Sequence, residues 1–146
     1  MQNLIFVAIG GGIGASLRYG VGIAAGRLLG AAFPWGTLLV NLAGCFVMGL
    51  VGQWLLDLEP QLAAALARSG VNDPSTADLA ARATAVRHLI AIGFLGGLTT
   101  FSTFSWDTLR ALESGRLSIA LLNVAANVCL CLVAVWAGAS LLRATS

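Results

Sequence analysis

The chain has 146 residues, 58% of them hydrophobic and only 10% charged, with a mean hydropathy of +0.90. Soluble domains carry about 25% charged residues, and so short a chain has too little interior to hide this much apolar surface from water. A net charge of +2, with every basic residue an Arg and no basic cluster, gives no footing for nucleic-acid binding.

The composition points to a single all-α membrane domain with the lipid bilayer as its solvent. The N-terminus is apolar from Leu4 with no basic stretch before it, so a cleaved signal peptide is not expected. Cys45, Cys129 and Cys131 lie inside apolar runs. Their spacing fits neither a disulfide framework nor a zinc site, and free buried thiols are expected.

A membrane-crossing helix needs about 20 mostly apolar residues. The first span is predicted over residues 4–29, rich in glycine and containing Arg18. Phe33-Pro34-Trp35-Gly36 then reads as a turn with an interfacial Trp. The second span is predicted over 36–56, with Trp54 at its boundary and Asp57, Glu59 and Pro60 ending it. Residues 59–84 form the longest polar connection, including Arg68, Gly70, Asn72, Asp73 and Pro74. Within it, Ser75-Thr76-Ala77-Asp78 reads as the start of a short surface helix, with an acid three residues after Ser75.

The third span is predicted over 85–112. Its middle, Gly93 to Ser105, favours no single uninterrupted helix, because glycine weakens helices and Thr and Ser capture backbone groups. A break is expected near Gly96 to Thr100. Glu113-Ser114-Gly115-Arg116 is a turn, and the fourth span covers 117–142. Four spans place both termini and the 59–84 connection on one side with Arg68, Arg82, Arg87 and Arg143. The other side has Arg27, Arg110 and Arg116. Four against three is almost no positive-inside bias. One weakly biased orientation and insertion both ways with antiparallel pairing both satisfy this count.

Gly10 and Gly14, and Gly22 and Gly26, form small-residue faces suited to close helix packing. Thr37 and Asn41 share one face of the second span, and Asn123 and Asn127 one face of the fourth, continued by Cys131. Such amides either glue helices together or line a polar path. Two stripes beside a Ser/Thr-rich break favour the path. In a break, backbone groups lose helical partners and must face protein, water or an ion, and freed carbonyls of this kind can hold Na⁺. Phe101 and Phe104 are three residues apart. Their ring edges are electropositive, so Phe edges, amides and hydroxyls can serve an anion without trapping it on a full charge. Arg18 either draws anions towards a vestibule, pairs with backbone groups or snorkels to the interface. Asp107 is spaced to pair with Arg110. His88 has no neighbouring His or Cys to share a metal. No nucleophile–base arrangement or phosphate-binding loop is found, which argues against an enzyme.

Three motifs resemble those of the Fluc (CrcB) fluoride channels: Gly11 to Tyr19 in the first span, Gly36 to Phe46 in the second, and Gly93 to Ser105 in the third. The resemblance covers all four spans. It implies an antiparallel, dual-topology homodimer in the bacterial cytoplasmic membrane, with two pores that export fluoride passively. By the resemblance, Asn41 lines the pore, Phe101 and Phe104 turn ring edges to fluoride, and Thr37 and Ser102 extend the polar lining. The backbone carbonyls of Gly96 and Thr99 would hold a structural Na⁺ on the dimer axis, and Asp107 falls where many members carry Glu near the pore mouth. Asn123 and Asn127 depart from the Tyr and Ser frequent in the family. Both still donate hydrogen bonds, so permeation is expected to survive.

Two other readings compete. A proton-coupled multidrug exporter of similar size relies on an embedded Glu in its first helix, but residues 1–56 contain no Asp or Glu. A non-transporting scaffold would use the polar stripes only as glue and would pass no ions.

Overall fold

The computed structural model describes residues 1–69 and 73–145, so Gly70 and Asn72 lie outside the described residues. Every regular element among these residues is a helix, and four helical stretches are long and apolar enough to cross a bilayer: Asn3–Leu29, Trp35–Arg68, Pro74–Glu113 and Leu117–Thr145.

The first is one helix, α1 (Gln2–Leu29), stopped at Gly30, whose φ of 77° suits a residue without Cβ. The second, α2 (Trp35–Ser69), continues well past the end of its apolar stretch. Asp57, Glu59 and Pro60 therefore end the lipid-compatible run but not the helix. Pro60 lacks only one backbone donor, and the Ala-rich turns after it have high intrinsic helix propensity.

The third stretch is composite. It consists of α3 (Pro74–Val86), a π-helical segment π1 (Arg87–Leu95), one turn α4 (Gly96–Leu98), and α5 (Phe101–Glu113). The surface helix starts earlier than the Ser75 signal implied. Asp73 is its N-cap, accepting from the Thr76 amide at 3.2 Å, and Pro74 occupies the first turn. Asp73 also accepts from the Ser75 hydroxyl. At its far end α5 closes with Gly115 at φ 71°, the Arg116 amide on the Ala111 carbonyl and the Gly115 amide on Leu112. That is a Schellman arrangement, and it accounts for the expected turn. The fourth stretch comprises α6 (Leu117–Ala125), a second π-helical segment π2 (Ala126–Leu130) and α7 (Cys131–Thr145).

Chain alternation makes spans one and three parallel, and likewise two and four. Small residues hold each parallel pair together. A Cβ on Gly10 would lie 2.1 Å from the Leu89 carbonyl oxygen, and one on Gly14 2.1 Å from that of Phe94. Gly49 and Gly138 play the same part between α2 and α7, each against a backbone carbonyl of the other helix. Gly22 meets Gly36 on α2, whereas Gly26 has open space beside it. Val40, Leu95 and Leu98 form the small buried centre of the bundle. Many leucines and isoleucines remain on the outside, among them Leu4, Leu121 and Leu132, as expected of a surface facing lipid or another chain.

Candidate functional site

The site is built around the break in the third stretch. Thr99 and Thr100 adopt extended backbone, with ψ values of 156° and 113°. Thr100 caps α5, its Oγ1 accepting from the Thr103 amide at 3.2 Å. The Thr100 amide is turned away from the preceding turn and donates to Asn41 Oδ1 at 2.8 Å, while Asn41 Nδ2 donates to the Thr100 carbonyl at 3.2 Å. One Asn side chain thus binds both backbone groups of the residue at the break, whose amide no helix can serve. Thr100 is buried, so without Asn41 that amide would lack a partner in a place that water reaches poorly.

The Asn stripes meet. Asn41 Nδ2 also donates to Asn127 Oδ1 at 3.0 Å. Asn127 Nδ2 donates to Asn123 Oδ1 and to its backbone carbonyl, at 2.9 and 3.1 Å. Asn123 Nδ2 donates to Thr108 Oγ1 at 2.8 Å and to the Phe104 carbonyl at 3.4 Å, and Thr108 Oγ1 donates to the same carbonyl at 2.8 Å. The amides therefore form a one-way donor chain from the break to the turn that carries Phe104. Asn123 is only 1% exposed and stands behind Asn127.

Phe101 and Phe104 lie one turn apart on α5 with ring centroids 5.3 Å apart and planes inclined at 53°. Phe104 is buried, whereas Phe101 is 77% exposed. Both rings, with Asn41, Thr99, Thr100, Cys45, Asn127 and Cys131, line a cavity of about 230 Å³.

On the side of the Thr37 and Asp107 residues, two larger clefts of about 460 and 480 Å³ share Gly22, Gly36, Thr37 and Thr103. Arg110, Arg116 and Asp107 line one of them, and Arg18 the other. Thr37 Oγ1 donates to Asp107 Oδ2 at 2.9 Å, so the partner of Asp107 is Thr37 and not Arg110. Arg18 Nη1 donates to the Thr99 carbonyl at 3.2 Å, which realises the backbone pairing while leaving the side chain on a cleft wall. Ser102 Oγ lies 3.2 Å from Thr100 Oγ1. His88 Nδ1 lies 2.8 Å from the Thr84 carbonyl.

The carbonyls expected to hold Na⁺ belong to the residues at the two ends of the turn before the break. The Thr100 amide, which would close a helical bond on Gly96, goes to Asn41 instead. Gly96 is exposed with open space beside it. The Thr99 carbonyl has given one lone pair to Arg18 and retains the other.

The family described as CrcB-like protein, Camphor Resistance (CrcB), matches residues 5–139, a range that takes in every element of this site. The chain belongs to the CrcB family. It is 41% identical over 144 residues to the fluoride-specific ion channel FluC of Shewanella woodyi, covering 97% of this chain and 96% of that one. It is 43% identical over 145 residues to the FluC of Shewanella frigidimarina, with 97% of each chain covered. To the FluC of Citrifermentans bemidjiense it is 39% identical over 144 residues, with 99% of each covered.

Within this CrcB chain, sequence reasoning singled out Asn41, Asn127, Phe101, Phe104 and the break, and the structure brings them to one cavity. Thr37 and Asp107 sit together outside it. Thr100, Thr103 and Thr108 were not singled out individually, although they carry the cap and the end of the donor chain. Their signal was present as Thr100-x-x-Thr103 at a helix start and Thr108 one turn beyond Phe104.

Proposed function

We propose that this chain is a fluoride-specific ion channel that lets fluoride leave the cell passively across the bacterial cytoplasmic membrane, lowering its toxicity. Near full-length similarity to several proteins of that name supports the reading. The observation that carries it physically is the cavity at the helix break, where the Phe101 and Phe104 rings face a region lined by Asn41 and Asn127. Ring edges and amides offer a small anion partial positive charge without a fixed ion to trap it. An inside-negative potential drives an anion outwards by about 2.3 kcal/mol per 100 mV.

One chain supplies only part of a pore wall, since Phe101 stands on its outer surface. An antiparallel, dual-topology homodimer would cover that ring and give two pores, and the near balance of Arg on the two sides is compatible with insertion both ways. Phe101 and Phe104 would turn ring edges to fluoride, and Asn41 would reach it by exchanging its bond to Asn127 for one to the anion, with Thr37, Ser102 and Asn127 extending the polar lining and Asn123 holding Asn127. Arg18 and Asp107 would shape the vestibule. Na⁺ at the Gly96 and Thr99 carbonyls, on the dimer axis, would supply a fixed positive charge that ties the two breaks together.

Expression in a bacterium lacking its own fluoride exit route tests the reading. Restored growth in fluoride, lost with Phe104→Ile at equal membrane levels of protein, is expected. Growth no better than that of cells without the chain would refute it.

A further inference from the structure

The cysteines are the reactive side chains that the anion path leaves unused. Cys45 lies one turn beyond Asn41 on α2, and Cys131 lies one turn beyond Asn127 at the start of α7. The two helices run parallel, so the register that joins Asn41 to Asn127 at 3.0 Å also carries Cys45 to Cys131. Both thiols line the 230 Å³ cavity with Phe101 and Phe104. Neither is in a disulfide. Cys129 is exposed and lies outside this cavity.

We propose that Cys45 and Cys131 form a binding site for a soft, two-coordinate d¹⁰ cation, of the class of Cu⁺ or Ag⁺, in the wall of the fluoride path. Thiolates select soft metals. Among the described residues no group of three or more His, Cys, Asp or Glu stands together, so the four-ligand shell that Zn²⁺ requires is not provided. Two sulfurs from adjacent helices suffice for a linear ion. Binding breaks two S–H bonds, forms two metal–sulfur bonds and releases two protons, with no change of oxidation state. The cavity thereby goes from neutral to a net charge of −1. That charge, one turn from Asn41, opposes entry of another anion, and the metal also fills part of the space. The site itself stands on the helix register that joins Asn41 to Asn127 and on the cavity the two thiols share. Only its effect on flux rests on the channel reading.

Ag⁺ in chloride-free buffer is the probe, with the full chain in liposomes. Equilibrium dialysis against a competing monothiol is expected to find one tight Ag⁺ per chain. Cys45→Ser and Cys131→Ser should each weaken it at least tenfold, and Cys129→Ser should not. Unchanged affinity in the first two, or loss in Cys129→Ser alone, would overturn the site. Ag⁺ should also slow fluoride efflux at least tenfold in the unsubstituted chain and not in Cys45→Ser, each compared with its own metal-free rate. Tight binding with undiminished efflux would overturn its placement in the path. Absence of efflux before any metal is added would count against the channel reading alone, and the dialysis would still decide the thiol site.

Discussion

Replacing Asn41 by Ala removes three hydrogen bonds, two to the backbone of Thr100 and one to Asn127. Hydrogen bonds between membrane helices are worth about 0.6 kcal/mol on average and up to about 1.7, so the bundle should lose about 2–5 kcal/mol. The loss should be local in origin, because the Thr100 amide has no helical partner and Asn127 would keep only its bonds to Asn123. Unfolding in mixed micelles, followed by far-UV circular dichroism, measures the stability. Fluoride efflux from liposomes at matched folded protein measures function and is expected to fall at least tenfold. Asn41→Asp separates geometry from donation. It keeps an acceptor for the Thr100 amide but loses the donor and adds a negative charge, so it should be more stable than Asn41→Ala yet equally poor in flux. A variant Asn41→Ala with stability within about 0.5 kcal/mol and flux within twofold of the parent would refute the reasoning.

The two Phe residues should separate by burial. Phe101→Ile and Phe104→Ile are each expected to lower fluoride efflux at least tenfold, but only Phe104, which is buried, should also lower monomer stability, by about 1–3 kcal/mol. Gly14→Ala forces a Cβ to 2.1 Å from the Phe94 carbonyl and should destabilise by about 1–3 kcal/mol, whereas Gly52→Ala, with open space beside it, should be neutral or slightly stabilising on the same unfolding assay. The Asp73 carboxyl is held below its ordinary value, chiefly by the Ser75 hydroxyl and then by the Thr76 amide. A depressed carboxyl stabilises the charged form, so its support of α3 is complete above the ordinary carboxylate range and lost as pH falls through the lower folded value. The protection of the Thr76 amide, its exchange relative to the intrinsic rate at the same pH, should therefore fall in acid, and Asp73→Ala should remove that dependence.

Hydropathy made the four crossings legible because lipid imposes length and apolarity on every span. The same logic hid the true end of α2. Asp57, Glu59 and Pro60 report where lipid stops, while the Ala-rich residues that follow favour helix in water as readily as in protein. At α3, Ser75 with Asp78 competed with Asp73 and Pro74 as a start. Proline in the first turn decides for Asp73, since its missing amide costs nothing there. The break was legible in Gly96, Gly97, Thr99 and Thr100, where weak helix formers sit beside hydroxyls that capture backbone. The Asn stripes were legible as stripes. That Asn41, Asn127 and Asn123 satisfy one another could not be read, because it depends on the register of two parallel helices held at Gly49 and Gly138. Likewise, Arg18 reaching Thr99 is a product of the α1–π1 contact and not of any local pattern.

The central claim is that fluoride passes through this chain and chloride does not. Liposomes containing the purified protein, loaded with both anions and supplied with Na⁺ outside and inside, test it directly when valinomycin carries the compensating K⁺ and ion-selective electrodes follow each anion. The account requires rapid fluoride release on adding valinomycin with chloride retained. Retention of fluoride by folded, Na⁺-supplied protein would contradict it and return Asn41, Asn123 and Asn127 to the role of glue in a scaffold, and equal release of both anions would remove its selectivity.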